Sequence, residues 1–137
     1  MRSIIVVGGV CALALASTTM LATSAEAGAR GTCAKGWACL YENNDFNNGN
    51  TDHWRDFRSS NYDFNKVLWR DSHGSQTNDH MDNETSAIRN RRGCTVRLWQ
   101  NVGGTGASTD FHNNVSDGFL KNNSIGDNRA SAIQMCV

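Results

Sequence analysis

Two short phrases occur twice in the chain, in the same order. Leu40-Tyr41-Glu42-Asn43 matches Leu98-Trp99-Gln100-Asn101. Asp82-Asn83-Glu84-Thr85-Ser86-Ala87-Ile88 matches Asp127-Asn128-Arg129-Ala130-Ser131-Ala132-Ile133. Ordered self-similarity of this kind marks a duplicated structural unit. Tyr41 to Ser86 is 45 positions and Trp99 to Ser131 is 32, so the first copy carries 13 more residues, most simply placed between Tyr62 and His80. With 137 residues, the chain has room for one domain or two very small ones.

The repeated phrases sit in β-prone surroundings. Trp37-Ala38-Cys39-Leu40-Tyr41 and Cys94-Thr95-Val96-Arg97-Leu98-Trp99 are short runs bounded by Gly and Asn. In the second, Cys94, Val96 and Leu98 share one face, and Thr95, Arg97 and Trp99 the other. Ser131, Ile133, Met135 and Val137 alternate in the same way near the C-terminus. No segment sustains a 3.6-residue apolar period. Lys66-Val67-Leu68-Trp69 reads as a strand or one helical turn, and Asp71–His80 as an exposed loop. Aliphatic residues are sparse and asparagine is crowded: Asn43, Asn44, Asn47, Asn48 and Asn50 fall close together. Such a chain buries a modest core and relies on tight turns or covalent staples. Thirteen basic residues balance thirteen acidic ones. That leaves no cationic excess for a nucleic-acid backbone or an anionic membrane, so neither is an expected partner.

Residues 1–27 read as an export signal. Arg2 precedes an apolar run from Ile4 to Ala16, and Ala25-Glu26-Ala27 is a small-x-small cleavage pattern before Gly28. The run is too short and too interrupted for a membrane span. Residues 28–137 are then the mature, secreted chain. Cleavage removes Cys11 and leaves an even set, Cys33, Cys39, Cys94 and Cys136. In an exported chain disulfides are the default. A metal cluster is the weaker reading, because there is no C-x-x-C pair. Four cysteines allow three pairings. Cys33–Cys39 and Cys94–Cys136 are favoured, the first closing a short loop with Gly36 inside and the second tying the C-terminal half to its last strand. Their loop-closure contributions are roughly 2.4 and 4 kcal/mol on an entropic model.

The repeat resembles the βγ-crystallin Greek key. That unit opens with an aromatic, an aromatic or glycine five residues on, and a glycine two further. Trp99, Gly104 and Gly106 match this spacing, as do Tyr41 and Phe46. Gly49 comes one residue late, with Asn48 in the expected place; Asn also tolerates left-handed backbone angles. Asp82-Asn83-x-x-Ser86 and Asp127-Asn128-x-x-Ser131 match the later Asp/Asn and hydroxyl signature, with Ala87 and Ala132 replacing its second hydroxyl. The export signal, the Cys33-to-Cys39 loop, Gly93-Cys94-Thr95-Val96 and the near-terminal cysteine narrow the likeness. Over residues 33–137 the chain resembles the secreted actinobacterial family of the Streptomyces metalloproteinase inhibitor. The resemblance implies an all-β, disulfide-stapled, βγ-crystallin-like sandwich of two Greek keys, residues about 33–93 and 94–137. It also implies peptidase inhibition, with an extracellular metalloproteinase as partner and a monomeric inhibitor.

Enzyme chemistry finds little support. His53, His73, His80 and His112 stand in no zinc-ligand spacing, and His53 and His112 read as surface residues. No G-x-S-x-G elbow is present. Gly103-Gly104-Thr105-Gly106 lacks the lysine and helix of a phosphate loop and reads better as a hairpin corner. In calcium-binding βγ-crystallins, loops from both units combine to form each site. By that resemblance Asp82, Asn83, Glu84, Ser86, Asp127, Asn128, Arg129 and Ser131 are the calcium candidates, joined by carbonyls near Glu42 and Gln100. Oxygen donors suit a hard cation. Against this, Arg129 brings a positive charge and carboxylates are few; the same residues also serve as Asx turns and hairpin ties. No cofactor is required on this reading, and any calcium binding is weak, in the 10⁻⁴ to 10⁻³ M class. The inhibitory loop is not identifiable by motif. Asp71–His80 and then Asn113–Asn123 are the conspicuous exposed stretches. The competing functions are a structural or cell-surface βγ-crystallin module, weakly calcium-binding, and an antimicrobial or killer-toxin-like protein.

Overall fold

The computed structural model describes residues 32–50 and 52–137. The expected signal segment, its cleavage point and Cys11 lie outside the described residues. Among the described residues, nine antiparallel strands form two sheets. They are β1 (Ala38–Tyr41), β2 (Trp54–Phe57), β3 (Leu68–Arg70), β4 (Gln76–His80), β5 (Ala87–Asn90), β6 (Val96–Asn101), β7 (Thr105–Phe111), β8 (Ser116–Asp117) and β9 (Ala132–Met135). The first sheet has the order β4-β3-β2-β1-β5-β8, and the second β7-β6-β9. No α-helix occurs among the described residues; the helical elements there are short 3-10 turns at Phe46–Gly49, Phe64–Lys66 and Leu120–Asn122.

The two halves follow one plan, and each contributes backbone pairing to the other's sheet. In each, a first hairpin (β1–β2, β6–β7) is joined by a last strand (β5, β9) on the opposite side of its first strand. The second half lends β8 to β5 of the first sheet. The first half returns the favour through Asn61, which bridges to Ile133 on β9 with backbone hydrogen bonds of 2.8 and 2.7 Å. Equivalent bonds follow: Phe64 N–H donates to Ser131 O, and Leu120 N–H to Ser86 O, each at 3.0 Å. This is a two-Greek-key sandwich whose sheets depend on each other.

The extra residues of the first half form a hairpin. Phe64 to Asp82 spans 18 positions, whereas Leu120 to Asp127 spans 7. The difference is filled by β3 and β4, which extend the first sheet beyond β2. Asp71–His80 is therefore only half the loop expected: Asp71–Ser75 turns, and Gln76–His80 is a strand. Its polar residues hid it, because no apolar face marks an edge strand whose neighbours are solvent and β3. Asn113–Asn123 is likewise tied down by β8 and its 3-10 turn.

The main core lies between the sheets. Leu40, Ile88, Phe64, Trp69, Met81, Val96, Leu98, Leu120, Ile125 and Ile133 are completely buried there. Burying each large side chain contributes roughly 1.5–3 kcal/mol. A second cluster covers the outer face of the first sheet: Cys33, Cys39, Tyr41, Trp54 and Ala87, with Trp37 and Phe46 against it. Both faces of β1 are thus buried, which is why its sequence does not alternate. Phe46 is half-buried; it meets Tyr41 edge-on with ring centroids 5.7 Å apart, and the Arg89 guanidinium sits over its ring. Cys33–Cys39 and Cys94–Cys136 are the disulfides.

Candidate functional site

The folded hairpin between β1 and β2 shapes one end of the molecule. Asp45, Phe46, Asn47 and Asn48 all have positive φ, between 40° and 66°. Asparagine accepts that conformation more readily than most residues, whereas Phe46 is unusual there. The matching position in the second half, by spacing, is Gly104, with φ 76°. Asn48 also takes the left-handed place assigned to it from sequence, φ 40°. Asn47 is the residue that sequence reasoning did not single out. It is buried, and its side chain replaces missing backbone bonds. Its Oδ1 accepts from Asn43 N–H at 2.8 Å, and its Nδ2 donates to the carbonyls of Asp52 and His53 at 2.6 and 3.0 Å. Asparagine crowding was the available signal, but it did not say which asparagine turns inward.

This hairpin overhangs the two Asp/Asn–Ser loops. Asn83 N–H donates to Ala130 O at 3.0 Å, and Asn128 N–H to Thr85 O at 3.1 Å, so the loops are clasped across the approximate two-fold relation of the halves. Ser86 Oγ donates to Asn128 Oδ1 at 3.0 Å. Beside this clasp is a cleft of roughly 440 Å³ lined by Glu42, Asn43, Asn44, Asn83, Glu84, Ser86, Asp127 and Asn128. Every lining side chain carries an oxygen acceptor. Asp82, Arg129 and Ser131 are not among them. Arg129 packs its aliphatic stem near Gly126, and Ser131 is buried under the second half's own hairpin. The sequence candidates therefore divide, with one group gathered in the cleft and the other on the pseudo-equivalent side.

The two sides differ in charge. Glu42, Glu84 and Asp127 bring three carboxylates to the cleft, where the matching positions on the other side hold Gln100, Arg129 and Asp82. Gln100 Oε1 is already engaged, accepting from Ala107 N–H at 3.4 Å. Glu84 accepts from the buried Trp69 indole N–H at 2.8 Å. Burial pushes the Glu84 carboxyl above its ordinary range; the Trp69 bond opposes this, and the charges of Asp79 and Glu42 add to it. Asp82 Oδ1 and Asp127 Oδ1 are buried and have no hydrogen-bond partner among the described residues. Unsatisfied buried carboxylate oxygens at a clasp of oxygen donors are suited to a hard cation.

The same architecture recurs in solved structures. A βγ-crystallin domain from work on the evolution of the eye-lens fold superposes with a TM-score of 0.55 at 17% identity, covering 74% of this chain and 85% of its own. The fold is that of a βγ-crystallin domain. A βγ-crystallin from an archaeon gives a TM-score of 0.52 at 16% identity, covering 74% and 98%. One from Ciona intestinalis gives 0.51 at 19%, covering 72% and 98%. No protein-family model and no curated protein sequence matches the chain. At these identities the likeness shows the βγ-crystallin fold and no more.

His53 is partly exposed, with Nδ1 2.5 Å from Glu42 Oε2. That contact is made across the folded hairpin, which no local spacing reveals. His112 is exposed and faces Thr95. Two disulfides fit an oxidising environment, and no helix among the described residues is long and apolar enough to cross a membrane.

Proposed function

We propose that this chain is a secreted, non-enzymatic βγ-crystallin module that takes up one calcium ion in the cleft beside Ser86 and Asn128. The observation that carries the reading is the clasp itself. Two Asp/Asn–Ser loops, far apart in sequence, meet with their oxygens around one cleft, and Asp127 Oδ1 is left without a partner there. Ser86 Oγ, the Asn128 amide oxygen and the Asp127 carboxylate would hold the ion, with Glu42 and Glu84 supplying further negative charge. The opposite side carries Arg129 and an occupied Gln100, so one ion is expected rather than two.

Calcium is a modifier of this fold, not a condition for it. The two apolar clusters and the two disulfides include none of the cleft residues. A dissociation constant in the 10⁻⁴ to 10⁻³ M class is expected. At about 10 mM calcium a site of about 10⁻³ M stabilises the fold by about 1.4 kcal/mol. Calorimetric titration of chelator-treated protein should give one weak site, weakened further in Asp127→Asn, and the protein should remain folded in chelator. Absence of both heat and thermal stabilisation at that concentration would reduce the cleft to turn chemistry. Metalloproteinase inhibition rests on the sequence resemblance, and the two stretches considered for it are pinned to the sheets by β4 and β8. Titration against a thermolysin-like enzyme separates the readings: stoichiometric inhibition would make the protein an inhibitor after all.

A further inference from the structure

A cluster of three donors adjoins the calcium cleft but is built differently. One donor atom from each of Glu42, His53 and Asp79, a carboxylate oxygen or an imidazole nitrogen, lies within 4.8 Å of the other two, on half-buried residues. They come from the residue after β1, the residue before β2, and β4 of the inserted hairpin. We propose that these side chains form a second site, sharing Glu42 with the cleft, for a first-row transition metal, with Zn²⁺ as its representative, that pins the inserted hairpin to the hairpin between β1 and β2.

The donor types choose the metal class. Imidazole nitrogen with two carboxylates suits Zn²⁺ and its neighbours, whereas calcium takes oxygen ligands alone. Three protein ligands leave at least one position for water.

The donors are held in place by their backbones. The His53 carbonyl accepts from Glu42 N–H at 3.1 Å and from Asn47 Nδ2 at 3.0 Å. Asp79 N–H donates to Thr77 Oγ1 at 3.1 Å, and that hydroxyl donates to Trp69 O at 3.2 Å. Charge adds an independent argument. Among the described residues, neither Glu42 nor Asp79 forms an ion pair with a lysine or arginine; the group paired with Glu42 is the His53 imidazole. A His53–Glu42 ion pair accounts for two members, but not for bringing the unpaired Asp79 carboxylate to the same point.

Comparison of the two halves isolates the feature. Tyr41 pairs with Trp54 and Trp99 with Ser108, so Glu42 and His53 correspond to Gln100 and Ala107. Asp79 lies on the insertion and has no counterpart. All three donors are therefore places where the duplicated units differ.

The test uses chelator-treated purified protein titrated with zinc in the presence of saturating calcium. One zinc per chain is expected, with affinity at least ten-fold lower in both His53→Asn and Asp79→Asn; asparagine is chosen at position 53 because φ there is 55°. Near-ultraviolet dichroism checks folding. If His53→Asn does not fold, Asp79→Asn alone decides. Calcium binding should be unchanged in Asp79→Asn, so failure of the calcium reading and failure of this one are distinguishable. Absence of zinc binding, or unchanged zinc affinity in a folded variant, would overturn the proposal, the latter assigning the ion to His73, His80 or His112.

Discussion

Tyr41 lies on the face of β1 that points away from the inter-sheet core, yet it is completely buried. Its hydroxyl donates to Thr32 O at 3.2 Å. Burial pushes its pKa up to about 12, against a partial pull downward from Arg89. The sign of the consequence is fixed by linkage. The folded state keeps the phenolic proton after the unfolded chain has begun to lose it near pH 10, so the contribution is complete below pH 10 and is lost on approach to pH 12. The loss is roughly 2–3 kcal/mol. Tyr41→Phe should cost about 1 kcal/mol at pH 8, through the missing hydrogen bond. It should also flatten the alkaline fall. Urea unfolding at pH 8 and pH 11 measures both; equal alkaline losses in variant and parent would contradict the assignment. At this scale the sequence identified Tyr41 as a packing aromatic, but could not assign Asn47 and His53, because their partners are reached only after the hairpin folds back.

β4 is the element that most separates this βγ-crystallin-like fold from a plain pair of Greek keys. Gln76, Asn78 and His80 point to solvent, while Thr77 and Asp79 are half-buried. It is the edge of a six-stranded sheet, and an edge must avoid pairing with other chains. Polar residues on its open face meet that need and also hid the strand from the apolar-alternation test. Replacing Gln76, Asn78 and His80 together by valine raises β-propensity and removes the polar cover. Light scattering with size-exclusion chromatography should then show concentration-dependent association beyond that of the parent. A variant that stays monomeric at high concentration would show that the edge is protected by something other than its side chains. The hairpin's inner anchor was more legible: Trp69 was flagged in a possible strand or turn, and both occur, the 3-10 turn at Phe64–Lys66 leading into β3.

Across the whole molecule, the two sheets are mutually dependent because the second half lends β8 to β5 and the first half bridges to β9 through Asn61. Folding therefore requires contacts between distant parts of the chain, and cross-links that shorten those distances matter. Cys94–Cys136 joins residues 42 positions apart and secures the C-terminal end of β9 beside β6. Cys94→Ala/Cys136→Ala should lower unfolding free energy by about 2–4 kcal/mol while leaving the sheet spectrum intact. Denaturant titration of the purified variant reads the loss. A change below about 0.5 kcal/mol would mean that sheet pairing alone holds the terminal strand.

Duplication, β character and the Asp/Asn–Ser loops were properties of the sequence by itself, because each is carried by short, ordered phrases whose local chemistry is self-sufficient. The left-handed role of Asn48 was readable for the same reason: it is a matter of one residue's allowed angles. Tertiary structure decided the rest. It placed Ser86 against Asn128, 42 positions apart, and so divided eight symmetric-looking candidates into an anionic cleft and a side bearing Arg129. It turned half of an apparent loop into β4 and brought Asp79 to Glu42 and His53. Those outcomes depend on backbone pairing between the halves and on which hairpin covers which loop. They arise from packing free energies summed over distant contacts, which no local pattern records.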